Sequence, residues 1–388
     1  MALGLDLGNS QIKAAVVSRE EEKFELVEYA VRSLPADAST GFRHPQFIAE
    51  LQQLVSELRT ADRHAYVTLS CASAMVCQAE FPPMPLAEIK SALKLNSARY
   101  LRRDFSSYYL DAVPVQGYEI NPQSKDTSKA KILVGGAQRE DVDACREALV
   151  AAKIKPATIE LAAVSVINSF HLAHAELEQE VVVLVDCGAR TTSINFIQGG
   201  VPLITRIMHF GGAQLSEYVG QVLMLNPREA EEEKLKMSEP VKELVRQAIS
   251  PIAREVRSSI DFFERQHDRR VRQIYVCGGS ACSADVLGFL GEAVGMKVEC
   301  WNPVTALDAS REVSQERWGL VRPLHRLAQL DGPKPAATVL AELSADAGRR
   351  DSYPLIAWQR YGTGKSLFVG TDQLWRLPIH PVASGWLK

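Results

Sequence analysis

The sequence predicts an α/β protein built as two lobes on one plan. Residues 3–17 form an apolar strand ending in aspartate, a glycine turn and a second apolar strand, and residues 183–197 repeat this order. In each half a third strand-like run follows directly. Helical segments with an apolar stripe, such as 47–58, alternate with the later strands. This alternation is typical of mixed sheets that are covered by helices on both faces.

Composition excludes several classes of protein. The chain has 388 residues, which is long for one core and suits two or more domains. Hydrophobic residues make up 46% and the net charge is −3, so neither nucleic acid nor an anionic membrane is an expected partner. No apolar run is long enough to span a membrane, and no signal peptide is visible at the start. A cytoplasmic protein is therefore expected.

The organisation along the chain suggests three parts. We predict a first lobe over 1–155, a second lobe over 156–310 and an atypical tail over 311–388. Within the first lobe, 74–134 has the pattern of an inserted subdomain, with a strand, three prolines, a helix over 86–100 and two strands around a polar loop. In the second lobe, a continuous apolar stripe predicts one long helix over 240–267.

The first hairpin, DLGNSQIK, carries residue types that suit a phosphate and its metal. Gly8 permits a tight turn and a close approach of backbone to ligand. Asp6 can hold Mg²⁺, and Lys13 on the returning strand can reach a phosphate. Further donors are expected from Asn9, Ser10 and Gln11. Alone, this pattern is also that of an ordinary hairpin turn.

The second hairpin, DCGARTTS, repeats the arrangement 180 positions later. Asp186 is expected to hold Mg²⁺ directly or through water, and Arg190 is expected to be a solvated turn residue. The remaining candidate ligands are Gly188, Ala189, Thr191 and Thr192. Repetition in the same order weakens the interpretation that both units are plain turns. Two such hairpins facing each other would hold a nucleoside triphosphate from both sides.

Three further segments of the second half are candidates for the nucleoside end of that ligand. Two are glycine pairs before a helix, where backbone can approach a ligand closely. The third is a charged helix with an acid and a lysine one turn apart. The candidate residues are Gly211, Gly212, Glu231, Lys234, Gly278, Gly279 and Ser280. Alone, each segment is a weak signal, because a glycine pair before a helix is often only a turn and a charged helix is more often only solvated.

The ordered set of these motifs resembles the phosphate and adenosine motifs of the actin-like ATPase superfamily. Within it, the chain resembles the PilM family of type IV pilus assembly proteins and, more distantly, the division protein FtsA. The closer resemblance is carried by 81–115, 155–170, 209–223 and 228–236, and extends over about residues 1–310. It implies an actin-like, ribonuclease H-like fold of two duplicated lobes, with ATP and Mg²⁺ as cofactors and at most slow ATPase activity.

The resemblance also implies a partner and one further site residue. The expected partner is the short cytoplasmic N-terminal segment of a PilN-like membrane protein, which would bind near 74–134 and recruit the protein to the inner membrane. Other pilus components are further expected partners, and self-association stays open. Glu160 matches the region where a residue that positions water lies in the family; a role as a helix-capping acid is equally compatible with its position.

Two other functions and the tail complete the expectations. A sugar kinase of the same superfamily and an FtsA-like polymerising scaffold are the alternatives. The tail, 311–388, resembles part of a glutamine amidotransferase-like domain. It contains GTGKS at 362–366, but Gln359 stands where a P-loop needs glycine, so we predict a hairpin turn between 355–359 and 367–370.

Overall fold

The computed structural model describes residues 1–20, 23–34, 41–60, 62–115, 129–279, 283–302, 308–309, 338–344, 352–361 and 364–369. Ser280 and the polar loop of the inserted segment lie outside these ranges. The chain forms two compact units, Met1–Asp308 and Ala309–Lys388, and each is described by itself.

The strands in chain order are β1 (Ala2–Leu7), β2 (Gln11–Glu20), β3 (Lys23–Ser33), β4 (His64–Leu69), β5 (Met75–Phe81), β6 (Tyr108–Pro114), β7 (Ala130–Gln138), β8 (Lys155–Leu161), β9 (Val182–Cys187), β10 (Thr192–Gln198), β11 (Val201–Met208), β12 (Gln273–Cys277), β13 (Val298–Cys300), β14 (Asp308–Ala309), β15 (Thr338–Ser344), β16 (Ser352–Tyr361) and β17 (Gly364–Val369). The helices are α1 (Pro45–Glu57), α2 (Leu86–Leu101), α3 (Arg139–Ala151), α4 (Ala162–Ala173), α5 (Gly212–Leu223), α6 (Pro227–Lys236), α7 (Glu239–Ala248), α8 (Ser250–His267) and α9 (Ala284–Val294), with a 3₁₀ turn at Ala175–Leu177.

The first-lobe sheet has the strand order β14-β3-β2-β1-β4-β8. The strands β1, β2 and β3 pair antiparallel, whereas β4 and β8 are added in parallel. Alternate side chains of β1 and β4, such as Leu5 and Val67, are buried, and they pack against Leu51 of α1 and Leu149 of α3. Residues at the intervening positions therefore face away from this core, toward the other side of the sheet.

The second-lobe sheet repeats the first, with the order β11-β10-β9-β12-β13. Again three antiparallel strands are followed by two parallel ones. Residues Val182–Val185 are all buried because β9 has a core on each face: Val183 and Val185 belong to one, Val182 and Leu184 to the other. Helix α4 packs against strands of both sheets. The predicted duplicated, two-lobed α/β fold is confirmed.

The inserted segment forms a separate sheet of order β5-β7-β6. Helix α2 covers one face of it, where Ile89 and Leu93 pack against Phe81, Ile132 and other buried residues. The predicted helix is present, but it is kinked at Asn96, whose φ of −154° is not helical. The Asn96 side chain accepts a hydrogen bond from the Arg99 N–H at 3.2 Å, so it begins a new helical turn as an N-cap residue does.

The prediction of one helix over 240–267 is wrong. The structure has two helices, α7 and α8, separated at Ile249. Pro251 lies in the first turn of α8. Proline has no N–H, and its ring restricts the preceding residue, so it is tolerated in the first turn of a helix but breaks a helix that continues through it.

The second unit contains a sheet of order β15-β16-β17. Strands β16 and β17 pair antiparallel, and the pairing ends at Tyr361 opposite Gly364. This is the pairing that the predicted hairpin at GTGKS requires. None of the helices in the described ranges combines the length and the apolar composition that a membrane span requires.

Candidate functional site

The first hairpin places a lysine directly against an aspartate. Asp6 is the second-last residue of β1 and stands opposite Lys13 in the β1–β2 register. The Lys13 Nζ lies 2.8 Å from Asp6 Oδ2, and both side chains are about half exposed. In the turn, a Cβ on Gly8 would lie 2.7 Å from the carbonyl oxygen of Gln11, so only glycine fits there without a shift. The hairpin thus offers a cation and a carboxylate beside a tight glycine turn.

Asp6 is one member of a polar row across the first sheet. Thr68 of β4 stands beside Asp6, and Glu160 of β8 stands beside Thr68. Neighbouring strands are about 4.8 Å apart, so the backbones of Asp6 and Glu160 are separated by roughly 10 Å. Glu160 is therefore on the same edge and face as the first hairpin, as a residue that acts on a ligand there would need to be.

The Glu160 side chain is already engaged by helix α4. Its Oε2 accepts from the Ser165 hydroxyl at 2.7 Å, and its Oε1 accepts from the Asn168 side-chain amide at 3.4 Å. The Thr68 hydroxyl in turn donates to Ser165 Oγ at 3.0 Å. These bonds join the sheet edge to the helix that packs between the two lobes. Glu160 lies in β8, and the first turn of α4 contains no acidic residue and no side-chain cap bond, so the helix-capping role is not observed. The role of a residue that positions water stays a prediction.

The second hairpin places Asp186 in the same electrostatic environment as the first. Burial, and then the charge of Asp6, raise the pKa of Asp186 from 3.8 to about 6, whereas Cys277 and Lys13 act in the opposite direction. The Cys277 thiol donates to Asp186 Oδ1 at 3.7 Å from the neighbouring parallel strand. The charges of Asp6 and Lys13, on one lobe, thus contribute to the raised pKa of Asp186, on the other lobe.

The backbone of the second hairpin is held by the segment that begins α5. The N–H of Gly212 donates to the Gly188 carbonyl at 2.9 Å, and the N–H of Ala213 donates to the Ala189 carbonyl at 2.7 Å. A Cβ on Gly211 would overlap the same backbone. These bonds fix the hairpin and the start of α5 as one structural unit.

A second glycine, Gly278, lies directly against the second hairpin. Gly278 has a φ of +90°, and a Cβ there would overlap the Cys187 carbonyl and lie 2.8 Å from Asp186 Oδ1. Glycine is required both for this backbone conformation and for the close approach. Gly279 has no such restriction, since a Cβ there would meet nothing within 4 Å.

The tips of the two hairpins line one cavity of about 540 Å³. Gly8 and Asn9 contribute from the first hairpin, and Arg190 and Thr191 from the second. The other lining residues are Leu34, Gly41, Phe42, Arg43, Phe47, Ser70, Cys71, Ala72, Glu140, Asp141, Ala144, His209 and Gln214. The other predicted hairpin residues do not line this cavity; they are Asp6, Ser10, Gln11, Lys13, Asp186, Gly188, Ala189 and Thr192. Ser10 and Gln11 are exposed at the turn.

Thr192 differs from the predicted role of a ligand hydroxyl donor. Its side chain is buried, and its hydroxyl donates to the Phe210 carbonyl at 2.7 Å. The bond connects the start of β10 to the loop that leads into α5. Thr192 thereby fixes this loop relative to the second hairpin.

Glu231 and Lys234 meet at the N-terminus of α5. The Lys234 Nζ lies 2.7 Å from Glu231 Oε2 and donates to the Gly212 carbonyl at 3.2 Å. Ser216 completes a closed ring, because its hydroxyl is within hydrogen-bond distance of Glu231 and, at 3.0 Å, of the Gly212 carbonyl. The ring does not line the hairpin cavity. It adjoins the second hairpin through Gly212.

Sequence reasoning missed four residues of this site: Thr68, Ser165, Ser216 and Cys277. Ser216 was accessible in principle, because it lies four residues after Gly212 and so on the same side of α5. The role of Cys277 depends on the pairing of β12 with β9, which the sequence does not specify.

The carboxylate pair is chemically suited to a divalent cation. Two carboxylates that repel each other at a half-buried site are stabilised by a positive charge between them. Among the residues that the structure describes, no group of three or more His, Cys, Asp or Glu side chains could hold a metal. A site with one or two carboxylates is what Mg²⁺ commonly uses when phosphate and water supply the other ligands.

Comparison with known proteins assigns the chain to a family. The family model for "Type IV pilus assembly protein PilM" matches residues 4–329. Among solved structures, a PilM-PilN type IV pilus biogenesis complex is similar, with 24% identity, a TM-score of 0.71, and 80% of this chain and 91% of that chain covered. This similarity shows the fold.

Two more distant structures also match. The ethanolamine utilization protein EutJ from Carboxydothermus hydrogenoformans is 16% identical, with a TM-score of 0.47 and coverage of 77% of this chain and 84% of that one. MreB 5 of Spiroplasma citri bound to AMPPNP is 12% identical, with a TM-score of 0.44 and coverage of 77% and 90%.

The family match decides between the functions considered from the sequence, and it favours pilus assembly over a sugar kinase or a division scaffold. It ends before the last part of the tail, whose predicted resemblance stays a prediction. With the predicted actin-like ATPase fold confirmed, the chain belongs to the family of the type IV pilus assembly protein PilM.

Proposed function

We propose that the protein binds Mg·ATP between its two lobes and uses this binding to set its contacts with a membrane-protein partner in the pilus assembly machinery. One observation carries the proposal: the tips of the two hairpins, Gly8 and Asn9 on one lobe and Arg190 and Thr191 on the other, line one cavity of about 540 Å³. Bound ligand that contacts both hairpins favours the lobe orientation in which they are close, because it has differential affinity for that orientation.

Each part of the site would contact a different part of the nucleotide. Asp6 and Asp186 would hold Mg²⁺, directly or through water, and Lys13 would exchange its ion pair with Asp6 for a phosphate. Backbone N–H groups at the hairpin turns suit the phosphates. The ring of Glu231, Lys234 and Ser216 would contact the ribose and adenine. The magnesium supplies charge neutralisation of the phosphates.

Any hydrolysis of ATP in which Glu160 orients the attacking water should be slow. The Glu160 carboxylate is held by Ser165 and Asn168, so it would have to leave these bonds or act through its remaining lone pairs. An ATP-binding switch with little turnover is therefore the function that this geometry supports best.

The proposed partner surface lies on the inserted sheet, within 74–134. The face opposite α2 carries Tyr109 and Val113, which are 47% and 48% exposed. The Tyr109 hydroxyl lies 3.3 Å from Asp143 Oδ1, and the Arg139 guanidinium lies over its ring. Apolar side chains bordered by such charged groups suit an extended amphipathic segment.

The proposed occupant is the N-terminal cytoplasmic segment of a PilN-like membrane protein. A solved structure with the same fold is a PilM-PilN complex. Binding of this segment would place the protein at the inner membrane through its partner. Other components of the pilus machinery would bind to the remaining surface.

Calorimetric titration with Mg·ATP tests the nucleotide site. Asp186→Ala should abolish binding, because it removes a carboxylate from the cation site. The matched control is Asp261→Ala, which removes a partly exposed carboxylate of α8 that pairs with Arg257 at 3.3 Å. Its Mg·ATP affinity should stay within about twofold of wild type. Unchanged affinity of Asp186→Ala would refute the assignment of the second hairpin.

Hydrogen exchange tests the partner surface. A synthetic PilN-type N-terminal peptide should protect amides of β5, β6 and β7. Protection confined to other elements would move the partner site away from the inserted sheet.

A further inference from the structure

The inserted sheet is attached to both lobes. It belongs to the first lobe by sequence, yet its edge strand β5 lies beside β11, the edge strand of the second-lobe sheet. The Gln78 side-chain amide donates to the carbonyl oxygen of Pro202 at 2.8 Å, in a partly buried position. Pro202 has no N–H, so at this point β11 can only accept a hydrogen bond. The bond joins elements that a change in lobe orientation would move apart.

The inserted sheet joins the first lobe at two chain crossings and through contacts of α3 with β6 and β7. The chain enters the inserted sheet after β4 and leaves it before α3, and Ser73 joins the two crossings. Its hydroxyl donates to Asp141 Oδ2 at 2.5 Å and accepts from the Gln138 N–H at 3.1 Å. Cys71 and Asp141, at these crossings, also line the cavity that contains the hairpin tips. The crossings thus form a pivot next to the proposed phosphate site.

On the second lobe, Pro202 is connected to the second hairpin by strand pairing, with a bulge between Phe196 and Ile197, the partner of Pro202. Strand β11 pairs with β10 along its length, from Gln198 opposite Val201 to Thr192 opposite Met208. Thr192 begins β10 at the hairpin and bonds to the Phe210 carbonyl beyond the end of β11. A displacement of the second hairpin relative to the first lobe therefore displaces Pro202 as well.

On the inserted sheet, Gln78 is part of the proposed partner surface. In the β5-β7-β6 register it stands beside Leu133, and Leu133 stands beside Val113. Equivalent positions of adjacent strands project from the same face of a sheet. The side chain that contacts the second lobe is thus in one row with an exposed apolar side chain that we assign to the partner.

We propose that the Gln78–Pro202 hydrogen bond is a latch through which nucleotide binding and partner binding regulate each other. This inference rests on the proposed function. A nucleotide that changes lobe orientation changes whether the Gln78–Pro202 hydrogen bond forms. When it is formed, this bond restrains rotation of the inserted sheet about the pivot at Ser73. By thermodynamic reciprocity, a partner segment on that sheet changes nucleotide affinity by the same factor.

The test measures the dissociation constant of the full-length protein for the synthetic PilN-type peptide, with and without saturating Mg·ATP. Wild type should show a ratio of the two constants of about fivefold or more, in either direction. Gln78→Glu keeps the side-chain length but removes the donor, and Gln78→Ala removes the contact. Both variants should bring the ratio to within about twofold of unity.

The matched control is Gln52→Ala. The Gln52 amide also donates to a backbone carbonyl, that of Ala151 at 3.0 Å, but within the first lobe. It should keep the wild-type ratio. The latch is refuted if wild type binds both ligands without coupling, or if the Gln78 variants keep the coupling. Failure of wild type to bind Mg·ATP or peptide at all would instead refute the proposed function, and the latch with it.

Discussion

The Asp186 carboxylate should destabilise the nucleotide-free protein. Asp186→Asn should therefore raise the free energy of unfolding and at the same time abolish Mg·ATP binding. The folded protein raises the pKa of this carboxyl from 3.8 to about 6, chiefly by burial and by the charge of Asp6. Between these two values the folded state keeps the proton that the unfolded state releases. The unfolding free energy of wild type therefore decreases as pH rises through this window, and the full loss is present above it.

The magnitude follows from the shift. About two pKa units correspond to roughly 3 kcal/mol, and the partial exposure of Asp186 reduces this to an expected 1–2 kcal/mol. Asparagine has the same shape, carries no charge, and keeps an oxygen that accepts from the Cys277 thiol. At pH 7–8 the variant should thus be more stable than wild type by about 1–2 kcal/mol.

Urea unfolding without nucleotide, at a series of pH values from 4 to 8, measures this difference. The variant's advantage should grow between pH 4 and 6 and then stay constant. Mg·ATP should stabilise wild type but not the variant, since a ligand stabilises only a protein that binds it. A variant that is less stable than wild type at pH 7, or an advantage that does not change with pH, would refute the reasoning about Asp186.

Three further predictions concern other parts of the molecule. Gly278→Ala should destabilise the protein by about 2 kcal/mol in urea unfolding, because residue 278 has a φ of +90° and a Cβ there would overlap the second hairpin. Gly288→Ala, at a helical position with free space, should be neutral or stabilising by up to about 1 kcal/mol. Equal effects of the two substitutions would contradict the proposed close approach. Glu231→Gln should weaken ATP binding by about tenfold in calorimetry but leave the binding of inorganic triphosphate unchanged. An equal loss of affinity for both ligands would place this residue at the phosphates. Val113→Asp should weaken PilN-type peptide binding by at least about tenfold without changing Mg·ATP affinity, and Val150→Asp, at a 64% exposed position of α3, should change neither.

The duplicated plan of the fold was predictable because it depends on local patterns. Strand–turn–strand units with aspartate before glycine occur twice, and each becomes the antiparallel part of a sheet. Interruptions of helices were harder to predict. The stripe over 240–267 continues through Ile249, so periodicity alone favoured one helix although Pro251 was visible. The kink at Asn96 depends on a side chain bonding to backbone in competition with the helix.

The site was predictable where glycine or charge recurs in the sequence, and less so where contacts are tertiary. Asp6, Gly8 and Asp186 were identified from the repeated motif. The engagement of Thr192 by the Phe210 carbonyl, and of Glu160 by Ser165, follows from how loops and α4 pack onto the sheets. Sequence spacing does not encode such contacts between distant elements.

The most direct test of the central claim is a crystal structure of the full-length protein with Mg²⁺ and a non-hydrolysable ATP analogue. The account predicts phosphate oxygens about 3 Å from backbone N–H groups of both hairpins, with Mg²⁺ or its water shell on Asp6 and Asp186. A nucleotide that contacts one hairpin alone, or that binds outside the space between Asp6 and Asp186, would contradict it.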